Sequence, residues 1–289
     1  MTASAFVVHW NSPDTCNSLC TSLLAHNWIR ELIIIDNHSD WQQFQRLIQV
    51  SGRVKTLRLE ENLGWGGALN VALRPWLERG NDDFCVISAH DAAPKDGALE
   101  MLRSALAHDP KMGAVCPEYG RDELPRYCRF LATRMVSALH RKAGYVETVD
   151  LCNATLLAMR RACLEAVGLF DERLFAYGDE VELCLRARRA GWKLGLCWGA
   201  IVGNPQTTTA SNLRTYLFTR NTLIISRDYS GLLSTGLRAA WMPAKGIIEM
   251  TLRGARPAGM GRARLQGWWD WARGRHGRPP ASLFGREHD

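Results

Sequence analysis

No Cys-x-x-Cys pair occurs in the 289 residues, although nine cysteines are scattered from Cys16 to Cys197. An odd and unpaired set supports neither a disulfide framework nor a zinc site, and it points to a reducing cytoplasm. No apolar run approaches the roughly 18 residues that a membrane span needs. The N-terminus enters a strand-like Phe6-Val7-Val8 with no charged-then-apolar leader, so neither secretion nor spanning is expected. Internal repeats and low-complexity linkers are lacking as well. With 46% hydrophobic and 22% charged residues, the chain has the composition of an ordinary folded protein, long enough for one large domain or a domain with an appendage.

A surplus of one charge is missing from most of the chain. Residues 1–230 hold 26 Lys and Arg against 25 Asp and Glu, so six of the seven net positive charges belong to residues 231–289, with ten bases against four acids. A body without a basic stripe does not suit nucleic acid, which is not an expected partner. The tail interleaves Trp241, Trp268, Trp269 and Trp271 with Arg262, Arg264, Arg273 and Arg275. Tryptophan prefers the headgroup level and arginine prefers anionic lipid, so this segment suits peripheral contact with an anionic membrane surface at the inner face of the cell membrane. A helical cap whose tryptophans fill the core of the main domain fits the same residues.

What is present over the first 120 residues is an alternation of β-branched runs and helical patterns. Strands are expected at Phe6-Val7-Val8, Leu32 to Ile35, Val54 to Leu59, Phe84 to Ile87 and Gly113 to Cys116. Helices are expected after Pro13 and from Trp41, Gly66 and Lys95. That rhythm predicts an α/β fold with a doubly wound parallel sheet, whose ligands sit beyond the carboxyl ends of the strands. Those positions carry His9-Trp10-Asn11-Ser12, Asp36-Asn37-His38-Ser39, Glu61-Asn62-Leu63-Gly64 and His90-Asp91. From 121 to 150 the pattern gives way to a basic, mixed segment, read as an insertion. A strand over Leu151 to Arg160, a helix over Arg161 to Val167, a strand around Leu194 to Cys197, a helix over 212–229 and basic amphipathic helices over 232–289 complete the reading.

The densest cluster of chemistry is Phe170 to Arg186, five acids beside aromatics running into a short helix that starts near Asp179 and ends at Gly191. Asp179 as N-cap with Glu182 three residues on fits a capping box, and Glu182 with Arg186 fits an i,i+4 ion pair. Glu180 is left without a local task. Asn62 to Asn70 is a glycine-rich strand-to-helix turn able to bring backbone amides to a phosphate or to serve as a tight turn; it is neither the dinucleotide fingerprint nor a Walker loop. Asp36 closes an apolar strand, where it could accept from a base or ribose or act as a helix cap. Asp91, with His90 beside it, could hold a divalent ion shared with a diphosphate or be a turn residue.

In this order the segments resemble the inverting family-2 glycosyltransferases of GT-A fold, in particular the bacterial rhamnosyltransferase-like branch. The resemblance covers about residues 5–225 and rests on Trp10-Asn11-Ser12, Ile35 to Ser39, Glu61 to Asn70, Asp91 with Pro94, Leu169 to Glu172 with Phe175, Asp179 to Arg186, and Arg220-Asn221. It implies a mixed GT-A sheet flanked by helices, a nucleotide-sugar half over 1–120, an acceptor half over 121–230 and a basic helical extension over 231–289. Trp10, Asn11, Asp36, Asn62, Gly64 and Asn70 would bind the donor, and Asp91 would ligate Mg2+ or Mn2+. Glu180, paired with Asp179, would be the catalytic base, and Asp171, Glu182 and Arg186 would serve the acceptor, a glycan or lipid-linked glycan. The chain departs from the pattern at Ala89, where a second acid or amide is usual, and at Gly203-Asn204-Pro205-Gln206, where a histidine is usual. Those departures favour one competing reading, a degenerate nucleotide-sugar-binding protein docked on membranes. A nucleotidyltransferase would want a basic glycine-rich loop after the first strand, which Trp10-Asn11-Ser12-Pro13 lacks.

Overall fold

A strand covered by helices on both faces can be apolar at every position, which is why unbroken runs such as Leu32 to Ile35 become inner strands. The structure is a computed structural model, and it describes residues 1–48, 52–130, 133–203, 209–251 and 258–284. Its first half consists of β1 (Ala3–His9), α1 (Pro13–Leu24), β2 (Ile29–Asp36), α2 (Trp41–Gln45), β3 (Val54–Arg58), α3 (Gly64–Arg79), β4 (Phe84–Ala89), β5 (Ala93–Pro94), α4 (Ala98–His108) and β6 (Met112–Glu118). Then follow β7 (Glu123–Cys128), β8 (Thr133–Ala138), β9 (Val146–Thr148), β10 (Leu156–Arg160), α5 (Arg161–Val167), α6 (Asp179–Arg189) and β11 (Lys193–Gly203). Three helices, α7 (Ser211–Tyr229), α8 (Leu232–Thr251) and α9 (Ala258–Ala272), come last.

The main sheet runs β3-β2-β1-β4-β10-β6-β11-β5, with β9 also on β11, while β7 and β8 form a separate hairpin. Strands β3, β2, β1 and β4 are parallel, and β10 lies antiparallel between β4 and β6. The sheet is therefore mixed, as the resemblance implied. Successive residues of β1 serve opposite cores: Phe6 and Val8 join one apolar cluster with Trp76 and Ile35, Ala5 and Val7 the other with Ile34 and Leu102. Register pairs His9 with Asp36 and Val8 with Ala89, so the ends of β1, β2 and β4 form one rim.

Three expectations are corrected. Residues 121–150, read as a flexible or acceptor-side insertion, carry the β7–β8 hairpin followed by β9. Only Leu156–Arg160 of the expected 151–160 strand joins the ladder; the N–H of Cys152 turns instead to Cys184 Sγ at 3.3 Å. Helix α6 starts at Asp179 with Gly178 as its cap, and no side chain caps it, so the capping box does not form. The i,i+4 pair does form: Arg186 Nη2 lies 2.7 Å from Glu182 Oε2.

The C-terminal helices dock on the domain. Tyr216 of α7 donates to Asp270 of α9 at 2.9 Å, and Trp271 packs against the larger core. Close approach requires small residues, since a Cβ on Gly267 would lie 2.6 Å from the carbonyl of Tyr216. Trp268 and Trp271 are half-buried while Trp241 and Trp269 are exposed. Among the described residues no helix is long and apolar enough to cross a membrane.

Candidate active site

The rim at the ends of β1, β2 and β4 is polar and ordered by hydrogen bonds. Asp36 is fully buried, with His9 Nδ1 at 2.9 Å from one carboxylate oxygen and Arg58 Nη1 at 3.0 Å from the other. Nε2 of His9 accepts from the N–H of Ser12 at 3.1 Å, which leaves the ring proton on Nδ1, facing Asp36. Burial pushes the Asp36 carboxyl up, but hydrogen bonds from His9 and Ser39 and the Arg58 charge outweigh it and hold it below its ordinary value. Its carboxylate faces the protein, so in this structure it orients the rim rather than presenting an open acceptor. Asn11 stands at the edge in the left-handed region, its side chain accepting from Asp40 N–H at 2.8 Å. Trp10 beside it is half-buried.

Two residues beyond β4, Asp91 is half-exposed, with no hydrogen bond or ion pair among the described residues. His90 stacks edge-on to His9, ring centroids 6.0 Å apart, and burial holds its imidazole below the ordinary value against the pull of Asp91. An unpaired carboxylate oxygen beside a neutral imidazole fits a divalent ion shared with phosphate oxygens. Among the described residues no cluster of three or more His, Cys, Asp or Glu could hold a metal, so an ion here would depend on the donor's phosphates.

The glycine-rich turn is a tight strand-to-helix turn, the second of its two expected roles. Trp65 N–H donates to the carbonyl of Phe175 at 2.6 Å, so the start of α3 is capped by the protein's own loop. Asn62 accepts from Asn37 and from Gly64 N–H, and Asn70 is buried, exchanging hydrogen bonds of 2.9 and 3.0 Å with the backbone of Phe170. Asn62, Gly64 and Asn70 thus hold the Phe170–Gly178 loop from one side. From the other side Asn221 donates to the carbonyls of Leu174, Ala176 and Tyr177, each at 2.8 Å, with Arg220 at 3.1 Å from Leu174. Phe175 and Tyr177 adopt left-handed φ of 66° and 64°, strain that only such an over-determined loop retains.

This clamp delivers the acid pair. Asp179 is 1% exposed, and neither carboxylate oxygen has a hydrogen-bond partner among the described residues. Burial, then repulsion from Glu180, push its carboxyl well above the ordinary 3.8. Its proton is bound more tightly in the folded protein than in the unfolded chain, so above pH 3.8 folding loses about 1.4 kcal/mol per pH unit until the folded value is passed. Asp179→Asn should therefore leave the melting temperature unchanged near pH 4 and raise it increasingly as pH climbs above that, until the folded value is passed; melting curves across the range would show a constant difference if the account is wrong.

Glu180, half-exposed, has no hydrogen bond or ion pair among the described residues. Its electrostatic neighbour is Tyr119, whose hydroxyl lies 2.9 Å from that of Thr155. The carbonyl of Thr155 accepts from Ser88 Oγ at 2.9 Å and from Ala89 N–H at 3.1 Å. Glu180 acts on Tyr119 through its charge alone, while Tyr119 and Thr155 are hydrogen-bonded to one another and, through the Thr155 carbonyl, to the end of β4. Arg134 of β8 also reaches this cluster through Asn153. Sequence reasoning missed Tyr119 and Thr155, although Tyr119 follows β6 at the same edge where the other candidates were sought.

The three residues expected at the acceptor are engaged with the protein's own groups. Glu182 is buried between Arg186 and the Tyr229 hydroxyl, 2.5 Å away, and Arg186 also donates to the carbonyls of Val167 and Leu169 at 2.5 and 2.6 Å. Asp171 is bound by Arg173, which bridges to Asp228. All three brace the loop beneath the site. Residues Asn204 to Gln206 lie outside the described residues.

Comparison with known proteins bears on the family and the fold. The chain is 22% identical over 275 residues, 88% of each chain, to the low-salt glycan biosynthesis hexosyltransferase Agl10 of Haloferax volcanii. It is 24% identical over 193 residues, 56% of this chain and 62% of the relative, to the N-acetylglucosaminyl-diphospho-decaprenol L-rhamnosyltransferase of Mycobacterium tuberculosis. The mannosyltransferase PcManGT of Pyrobaculum calidifontis, solved with GDP-Man and Mn2+, superposes with a TM-score of 0.59 at 15% identity over 93% of this chain and 86% of its own. GalNAc-T7, solved with UDP, GalNAc and Mn2+, gives 0.61 at 14% over 92% of this chain and 55% of its own, so the fold is that of the GT-A glycosyltransferases. A family model, glycosyltransferase like family 2, matches residues 3–222, and the chain belongs to that family.

Proposed function

We propose that this protein is an inverting glycosyltransferase that moves a sugar, rhamnose first among the candidates, from a nucleoside-diphosphate donor to a hydroxyl of a glycan or lipid-linked glycan, as part of surface polysaccharide synthesis in the cytoplasm at the inner face of the membrane. The observation that carries the reading is Glu180, a half-exposed carboxylate whose side chain has no bonding partner among the described residues, at the start of α6 beside the buried Asp179. The rhamnosyl- and hexosyltransferase relatives support the substrate class.

The chemistry is one displacement. Glu180 takes the proton of the acceptor hydroxyl as its oxygen bonds to the anomeric carbon, the bond from that carbon to the diphosphate breaks, and configuration inverts. Asp91, with the His90 imidazole beside it, would hold Mg2+ or Mn2+, which supplies charge neutralisation for the departing diphosphate. Trp10 and Asn11 at the rim would contact the nucleoside, with Asp36 positioning them through His9 and Ser39. Asp179, neutral and buried, keeps the start of α6 against α3.

A ligand that binds only the folded state raises its melting point. In a thermal-shift screen of dTDP-, UDP- and GDP-sugars, at least one donor should stabilise the protein, more with Mn2+ than without, and Asp91→Asn should abolish the metal-dependent increment. No shift with any donor would reject the transferase reading; an undiminished increment in the variant would reject Asp91 as ligand.

A further inference from the structure

Helix α8 turns a face without charge to the solvent. Leu232 and Leu233 at its start are 86% and 73% exposed, and Leu237, Trp241, Ile247 and Ile248 are also exposed. Its three charged residues, Arg238, Lys245 and Glu249, lie at helical spacing with buried Ser234, on the side that packs on the domain. Exposed Phe130 of the β7–β8 hairpin adds to the surface, tethered by the Ser234 hydroxyl to its carbonyl. Soluble monomers seldom expose contiguous apolar patches beyond a few hundred Å².

A second copy or a lipid surface could cover such a face, and charge separates them. Every acid described between 209 and 284 is ion-paired: Asp228 with Arg173 and Arg227, Glu249 with Arg264, Asp270 with Arg275. Arg129 beside Phe130, and Arg262 beside the Gly261 that packs on Gly246 of α8, are exposed with no ion pair among the described residues. Two copies meeting here would bring uncompensated cations together, whereas an anionic bilayer meets them with opposite charge. We propose that α8, with Phe130, lies in the headgroup layer of an anionic membrane, its Leu, Ile and Trp side chains inserted and Arg129 and Arg262 on lipid phosphates. Within the tail where the sequence placed this contact, α8 carries the apolar face and the tryptophan-rich α9 backs it.

The test uses the full chain and vesicles of phosphatidylcholine with or without phosphatidylglycerol, and it needs no turnover, so it is independent of the reaction assigned above. Sedimentation should be strong with phosphatidylglycerol, weak without it, and reduced as salt rises, because screening shortens the reach of the arginines. Leu237→Glu with Trp241→Glu should lower partitioning at least about tenfold, given the apolar area withdrawn, at an unchanged melting temperature. Arg129→Glu with Arg262→Glu should weaken binding to the anionic vesicles only. Equal partitioning of either variant and the parent, or sedimentation velocity showing a parent dimer that Leu237→Glu with Trp241→Glu dissociates, would overturn the proposal.

Discussion

Glu180→Gln is expected to lower the turnover of sugar transfer by at least about a hundredfold, the usual cost of a lost general base, while the donor-induced melting shift stays within error. The amide keeps the shape of the carboxylate but cannot take the acceptor's proton. Because Glu180 forms no hydrogen bond or ion pair among the described residues, its replacement strands no partner and should leave stability unaltered. Glu180→Asp, one methylene shorter, should retain part of the activity. Turnover within a few-fold of the parent for the glutamine variant would remove Glu180 from the chemistry, and a large fall in melting temperature would mean that it braces the fold.

Gly64→Ala should be the most damaging single substitution for stability among those considered. Gly64 has φ of +75°, and a Cβ there would lie 2.0 Å from the Phe175 carbonyl oxygen and 2.6 Å from its carbon. Left-handed backbone costs an alanine about 1–2 kcal/mol and overpacking adds about 1–3, so roughly 2–5 kcal/mol is at stake. For a protein of this size that corresponds to a fall of about 5–15 °C in melting temperature. Gly80→Ala is the control, because Gly80 has φ of +69° with nothing within 4 Å of an added Cβ. It should cost only the backbone strain, about 1 kcal/mol. Equal effects at the two positions would show that contact with Phe175 is immaterial.

Much of the fold was legible because its strands are apolar on both faces. Leu32 to Ile35 and Phe84 to Ile87 could be read directly, and α5 begins and ends where its pattern does. The hairpin escaped because most of β8 is exposed and shows no inward-outward alternation. Within the site, residue type and order pointed to the right edge of the sheet, but not to what each side chain would touch. Asn70 looked like a pocket residue; its partners Phe170 and Glu172 lie about a hundred positions away. Glu182 looked like a cap until Tyr229, 47 residues on, claimed its carboxylate. Such partnerships depend on tertiary placement that local periodicity does not carry. Tryptophan drew attention to α9, although the continuous aliphatic face belongs to α8.

Strand β10, from residues 121–230, fills the slot between β4 and β6, both from residues 1–120. A cut near residue 120 would leave a missing plank in the middle of the sheet, with two long unpaired backbones exposed to aggregation. Chimeras exchanging whole halves with relatives should therefore misassemble. Redesign of this chain has therefore to proceed by single replacements that leave the sheet whole rather than by exchanging modules.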